Sequence, residues 1–261
     1  MARAQAQSFD RVAADYDRLG ELNPNDLIGA WLDQVLPAAG RRALDLGCGS
    51  GRHAMRLAGR FSEVDAVDLS GPMVELAQAR RPAPNITYRQ ADLQDVTGPG
   101  RYDFVLSVMT LHHVPDLHAA LGHIKGLLAP GGRAALVDVY SVEPALRSPL
   151  GMARRIAHRV VPLRPRLHAL ALLRLAANVA GRGPGTAWEI YRLSTMRAWL
   201  DHRVSDRFFG REELERSCGI LFPGYRFDIL GGPRGIGLVW DAPAAPEAPA
   251  APGADTRASP A

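Results

Sequence analysis

Ala43-Leu44-Asp45-Leu46-Gly47-Cys48-Gly49-Ser50-Gly51 is an apolar run carrying one carboxylate, followed by glycine at every second position. It reads as a short buried strand running into a glycine-rich turn that opens a helix at Arg52. Glycines there let the backbone approach a ligand closely, and the N–H groups that follow suit an anion. Around this turn, β-like runs (SEVDAVDLS, NITYRQA, YDFVLSVMT, GGRAALVDV) alternate with helical patterns such as GPMVELAQARR and DLHAALGHIKGLLAP. The alternation predicts parallel strands with helical crossovers, hence an α/β fold. Ser70 before Gly71-Pro72 is the expected N-cap of one helix, and Pro130-Gly131-Gly132 is expected to stop the helix that begins near Pro115.

With 261 residues, 47% hydrophobic and 22% charged, the chain suits a single α/β core with decorations. The net charge of +4 is local in origin, because residues 144–188 hold eight arginines and no carboxylate while the remainder is net acidic. Only 7% of the chain is aromatic, which argues against a nucleic-acid-binding stripe. Two cysteines, Cys48 and Cys218, exclude a disulfide framework and a cysteine-rich zinc site. Both read as packing residues. The opening MARAQAQSFDRV has no secretory apolar region, so the expected location is cytoplasmic. The apolar stretch at 167–180 is interrupted by His168, Arg174 and Asn178 and is too short to span a bilayer. Residues 1–241 are expected to form one domain, with a helical insertion at 141–187 after the fifth strand. Residues 242–261, rich in Pro and Ala, are expected to be a disordered tail.

The residues at the predicted strand ends constrain the ligand. A dinucleotide fingerprint would place a third glycine at position 52, where the chain has Arg52, and would not need Asp45 inside the strand. A carboxylate beside free N–H groups better matches S-adenosylmethionine, which carries an ammonium, a carboxylate and a sulfonium but no pyrophosphate. Asp45 could instead cap the helix; its register with the three glycines and Asp68 favours cofactor binding. Asp68 ends the second strand, 21 residues after Gly47, where a carboxylate can accept both ribose hydroxyls. Asp92 and Leu93 offer a carboxylate and an apolar face to an adenine. Ser107, and then His112 and His113, bring polar groups to the carboxyl edge of the sheet, where open α/β folds bind ligands. The two histidines are candidate acid–base groups or edge residues that pair with backbone carbonyls, and His202 is read the same way.

The segments FDRVAADYD, ALDLGCGSGRHAMRLA, VDAVDLS, ADLQD, YDFVLSVMTLHHV and LLAPGGRAALVDV together resemble the class I S-adenosylmethionine-dependent methyltransferases, close to the small-molecule group that includes the ubiquinone and menaquinone enzymes. The resemblance implies a Rossmann-like, mostly parallel seven-stranded sheet in the order 3-2-1-4-5-7-6, with the last strand antiparallel. It implies that Asp45, Gly47, Gly49 and Gly51 cradle the methionine moiety, that Asp68 and Leu69 meet the ribose, and that Asp92 and Leu93 meet the adenine. Tyr16 would close over the cofactor. The finish of the chain, 224–230 and 235–240, resembles the terminal strand pair of the family, while 140–186 matches nothing in it.

The expected activity is methyl transfer to a small organic acceptor, with no metal required. Nucleic-acid amino-methyltransferases resemble one another in carrying Asp/Asn-Pro-Pro-aromatic after the fourth strand, whereas Ser107-Val108-Met109-Thr110 stands here, so nucleic acid is not an expected partner. Two other functions compete: a catalytically silent S-adenosylmethionine-binding protein that acts through partners, and a nicotinamide dehydrogenase, against which the missing third glycine argues. Leu150, Ala153, Ile156, Ala157, Val160 and Val161 recur at helical spacing with Arg154, Arg155 and Arg159 on other faces, a basic amphipathic helix that Pro162 and Pro165 are expected to break. The insertion reads as a lid over the acceptor, or as a surface for peripheral contact with an anionic membrane through 144–188.

Overall fold

Every second residue of β1 (Gly40–Leu46) faces the same side of the sheet, and both sides are covered. Leu44 and Leu46 enter one core with Tyr102 and Val105, and Ala43 enters the other with Phe104 and Leu106. Burial on both faces is why these strands read as nearly continuous apolar runs. The computed structural model describes residues 9–22, 26–98, 100–141, 162–205, 208–231 and 235–245.

Two helices, α1 (Ala13–Glu21) and α2 (Leu27–Val35), precede β1. After it come α3 (Arg52–Ala58), β2 (Phe61–Asp68), α4 (Gly71–Arg80), β3 (Ile86–Gln90), β4 (Tyr102–Val108), α5 (Leu117–Leu127) and β5 (Leu128–Val139). Helices α6 (Leu163–Arg182), α7 (Pro184–Thr195), α8 (Arg197–Ser205) and α9 (Arg211–Leu221) lead to β6 (Arg226–Ile229) and β7 (Gly235–Asp241). The seven strands lie in the order β3-β2-β1-β4-β5-β7-β6, as expected. β1 to β5 are parallel, and β7 runs antiparallel to β5 and β6. Trp31, Leu32 and Val35 of α2 and Ala54 and Leu57 of α3 cover one face. On the other, α5 brings Leu121 and Ile124, α9 brings Leu214, and Phe222 follows at its C-cap. Crossovers of this handed, parallel kind collect the βα loops at the carboxyl edge of the sheet, around β1, β2 and β4.

The Ser70 cap is present: its hydroxyl accepts from Met73 N at 3.3 Å, and Pro72 lies in the first turn of α4. Two expectations need correction. Helix α5 begins after Asp116, which caps Ala119 N, and it ends at Leu127, so Pro130-Gly131-Gly132 does not stop it but lies inside β5. The register against β4 shifts there between Tyr102 and Phe104, a bulge that tolerates a proline. The helix that Pro162 and Pro165 are expected to end lies outside the described residues; Pro162 is the N-cap of α6 and Pro165 sits in its first turn, where no intrahelical N–H is required. The tail is tied down at its start, since Ala242 N donates to Gly132 O (2.7 Å) and Gly131 N to Pro243 O (2.9 Å).

The insertion is helical from Leu163 onward, while the expected basic helix at 150–161 lies outside the described residues, as does the tail from 246. Arg182 at the end of α6 donates to Leu22 O (3.1 Å), and Glu189 of α7 pairs with Arg18 of α1 (2.8 Å). The insertion therefore braces the amino-terminal helix. Among the described residues, no helix is long and apolar enough to cross a membrane.

Candidate functional site

The glycine turn and the end of β2 are built around one carboxylate. Asp68 accepts from Gly49 N through Oδ2 (2.8 Å) and from Ser70 N through Oδ1 (2.9 Å), while Gly47 N and Cys48 N both donate to Val67 O. Burial raises the Asp68 carboxyl above its ordinary range, against the opposing pull of those N–H donors. Gly49 has φ +51, and a Cβ added there would meet nothing within 4 Å, so the turn leaves open space at this point.

That space belongs to a cavity of about 220 Å³. It is lined by Tyr16, Gly47, Gly49, Asp68, Leu69, Asp92, Leu93 and His113 among the residues named from sequence, so eight of them converge. Asp92 caps the short turn that follows by accepting from Gln94 N. Sequence reasoning missed Phe9, Met73, Val108, Met109 and Thr110 in the wall. Met109 has φ +55, and among the described residues it is the non-glycine residue held in the left-handed region. Its N–H donates to Val137 O at 2.7 Å, which pins this strained position at the end of β4.

Four predicted residues do not line that cavity. Asp45 is directed by strand alternation away from the Leu44 and Leu46 side; it is 1% exposed, and its Oδ2 has no hydrogen-bond partner. Burial, then the charge of Asp68, pushes its carboxyl up to about 7. Gly51 is the N-cap of α3 at φ +81, and its lack of a Cβ makes room for the Tyr88 ring. Ser107 lies within β4 at full burial. His112 is turned to Asp138 at the end of β5, with Nδ1 2.7 Å from Oδ1 and its backbone N–H donating to Oδ2 at 3.1 Å; its ring stacks on Phe208. Only the second histidine reaches the cavity, edge-on to Phe9 with ring centroids 5.2 Å apart. The side chain of His202 lies outside the described set.

Helix α1 covers this site. Tyr16 borders the cavity and packs on Phe9 and Trp199 at centroid distances of 6.1 and 5.8 Å. Its neighbour Asp17, 1% exposed, accepts from Ser50 Oγ at 2.6 Å and pairs with Arg80 (2.8 Å) and Arg81 (2.9 Å). Burial would raise the Asp17 carboxyl, but Ser50, Arg81 and Arg80 together hold it below its ordinary value. Burial raises the Tyr16 phenol, so it is un-ionised at neutral pH. A second cavity of about 480 Å³ shares Tyr16, Gly47, Gly49, Val108 and Met109 with the first.

Residues 43–132 match the methyltransferase domain family. An uncharacterized methyltransferase of Mycobacterium bovis is 38% identical over 144 residues, spanning 51% of this chain and 72% of that protein. The chain belongs to the methyltransferase family. A ubiquinone biosynthesis O-methyltransferase of Paracidovorax citrulli is 32% identical to this methyltransferase over 126 residues, 46% of this chain and 52% of that one. A solved DhpI complex with S-adenosylhomocysteine superposes with a TM-score of 0.56 at 21% identity, covering 93% of this chain and 98% of that one, a likeness of fold.

The methyltransferase is an enzyme, and S-adenosylmethionine is the methyl donor its motifs lead one to expect. The residues present fit that cofactor: open space faces Gly49, a carboxylate ends β2 in the cavity wall, and Asp45 keeps a buried oxygen without a partner beside a turn that would receive a cationic group.

Proposed function

We propose that this methyltransferase acts on a hydroxyl oxygen of a small organic acceptor. The observation that carries the reading is the convergence of Asp68, Leu69, Asp92 and Leu93 with Gly47 and Gly49 on one cavity at the sheet's carboxyl edge. The names of two similar proteins, an O-methyltransferase of Penicillium expansum and the ubiquinone biosynthesis enzyme, support oxygen as the acceptor atom.

In this reading Asp68 accepts the ribose hydroxyls with Leu69 beside the ribose, Asp92 accepts from the adenine amino group, and Leu93 meets the adenine face. Gly47 and Gly49 leave room for the methionine moiety, with the Asp45 carboxylate behind the turn as its charge complement. When bound, S-adenosylmethionine supplies a methyl on sulfonium sulfur: a carbon–oxygen bond forms, the carbon–sulfur bond breaks with its electrons to sulfur, and the acceptor proton passes to solvent. Tyr16 and Phe9 exclude water, and the strained Met109 fixes the wall between the two cavities. Asp138 holds His112 and thereby the loop after β4, a positioning role, while His113 walls the cofactor cavity.

The test is mass spectrometry on metabolites from a host that overexpresses the protein. A metabolite that gains one methyl on oxygen with the wild type and not with Asp68→Ala is the expected result; methylation on nitrogen or carbon alone overturns the oxygen assignment. Exposed Leu170, Leu172 and Leu173 on α6, next to the arginine-rich sequence, support a further role of residues 144–188 in peripheral contact with anionic lipid.

A further inference from the structure

Helix α1 contributes a wall to both cavities, Tyr16 to the first and Tyr16, Asp17, Leu19 and Gly20 to the second. A helix of nine residues does not persist by itself, so its partners decide whether those walls stay in place. The sheet and its crossover helices hold one side: Asp17 takes Ser50, Arg80 and Arg81, and Glu21 accepts from Arg80 at 3.4 Å.

The insertion holds another side. Arg18 meets Glu189 of α7 as a fork, Nε donating to Oε1 at 2.8 Å and Nη2 to Oε2 at 3.1 Å, a geometry that fixes direction as well as distance. Arg182 of α6 donates to Leu22 O, the C-cap carbonyl of α1, at 3.1 Å, and the Trp199 ring of α8 lies 5.8 Å from that of Tyr16. Ala187 and Leu193 of α7 and Leu200 of α8 are buried, so these contacts come from packed helices and not from a loose arm. Arg18 keeps the Glu189 carboxyl below its ordinary value, and the fork is therefore charged throughout the neutral range.

We propose that Glu189 is a positioning residue for the cofactor site: through Arg18 it seats α1, and the insertion thereby sets how fast the cofactor enters and its product leaves. The inference rests on the cofactor reading above. Seated, α1 keeps Tyr16 over the glycine turn; lifted, it removes a wall from both cavities, and the fork breaks on the way. The coupling is reciprocal, because a bound cofactor that keeps α1 seated also keeps Arg18 in place for Glu189. Residues 160 and 171 positions apart thus join the insertion to the cofactor site.

The test is the dissociation rate of S-adenosylhomocysteine from immobilised protein, read by surface plasmon resonance, with hydrogen exchange of the α1 amides measured in the ligand-free protein. Glu189→Ala and Arg18→Ala each raise the dissociation rate about threefold, within the range of an exposed ion pair. Combined, they raise it about threefold again relative to wild type, not about ninefold, because both remove the same interaction. In each variant the α1 amides exchange faster while those of α5 do not change. Glu215→Ala, which breaks the comparably exposed 2.7 Å pair with Arg211 on α9, leaves both readouts at the wild-type value. Unchanged rates in both single variants, a multiplicative double variant, equal acceleration by Glu215→Ala, or faster exchange in α5 as well as α1 overturns the proposal. Failure of wild type to bind S-adenosylhomocysteine overturns the cofactor reading and the exchange role with it, while the amide exchange still decides whether Glu189 seats α1.

Discussion

The Asp17 carboxylate accepts a 2.6 Å hydrogen bond from Ser50 Oγ, so helix α1 is fastened to the glycine turn it covers. The residues are 33 positions apart, and the same carboxylate holds Arg80 and Arg81 at the end of α4. Because Tyr16 precedes Asp17 on the helix, the fastening sets where its ring lies over the cavity. Removing the carboxylate leaves Ser50 Oγ without this acceptor, while Arg80 keeps Glu21 Oε1 at 3.4 Å and Arg81 keeps Ser50 O at 2.7 Å.

Asp17→Ala is expected to lower stability by about 2–3 kcal/mol, below the usual cost of a fully buried broken pair because the arginines can reach water. Cofactor affinity should fall with it. Chemical denaturation and calorimetry check both; unchanged cofactor affinity in a destabilised variant would separate α1 from the site. Since the folded carboxyl lies below its unfolded value, its contribution is present above the ordinary carboxylate range and is lost as pH falls through the folded pKa.

Asp68→Ala should weaken S-adenosylmethionine binding by about 1.5–3 kcal/mol, roughly ten- to a hundredfold. The melting temperature should drop as well, because Gly49 N and Ser70 N lose their acceptor. Gly49→Val should fold, at a cost of about 1–2 kcal/mol for its positive φ, and bind no cofactor. Calorimetry with circular dichroism in parallel reads both variants.

Asp45 gives the apo protein a pH dependence of its own. Its folded value near 7 lies above the unfolded carboxylate value, so its contribution is complete below the unfolded pKa and is lost as pH rises through about 7. Across that span the loss is on the order of 4 kcal/mol at most. Melting curves from acid to neutral pH should slope less in Asp45→Asn. Binding a cationic cofactor near pH 6 should release a proton, visible as buffer-dependent binding enthalpy, and buffer-independent enthalpy would detach Asp45 from the cofactor.

Deleting residues 246–261 is expected to leave the melting temperature unchanged. A deletion that starts at 242 removes the two hydrogen bonds to Gly131 and Gly132, each worth about 0.5–1.5 kcal/mol, and should lower it by a few degrees.

Cosedimentation with anionic and with neutral liposomes tests the basic insertion. Binding to anionic vesicles alone, weakened by salt and by about 1 kcal/mol per neutralised arginine, is the outcome that supports lipid contact. Equal and negligible binding to both would leave 144–188 as a lid without lipid contact.

Local sequence carried the order of elements, because apolar runs of strand length alternate with helical spacing and the glycines at 47, 49 and 51 forbid continuation of β1. It also put Asp68 and Asp92 at strand ends, and the sheet edge made them neighbours. Facing was another matter. Both sides of this sheet are buried, so hydrophobicity does not say which side a strand residue takes; alternation and register sent Asp45 behind the turn and kept Ser107 out of the cavity. His112 and His113 are adjacent and chemically identical, and only Asp138, 26 residues further on, divides their roles by drawing the first away. The fastening of Asp17, the strained backbone at Met109 and the second cavity depend on contacts between segments 28 to more than 200 residues apart. Local periodicity carries no record of such contacts, since they exist only once hydrophobic burial has closed the chain on itself.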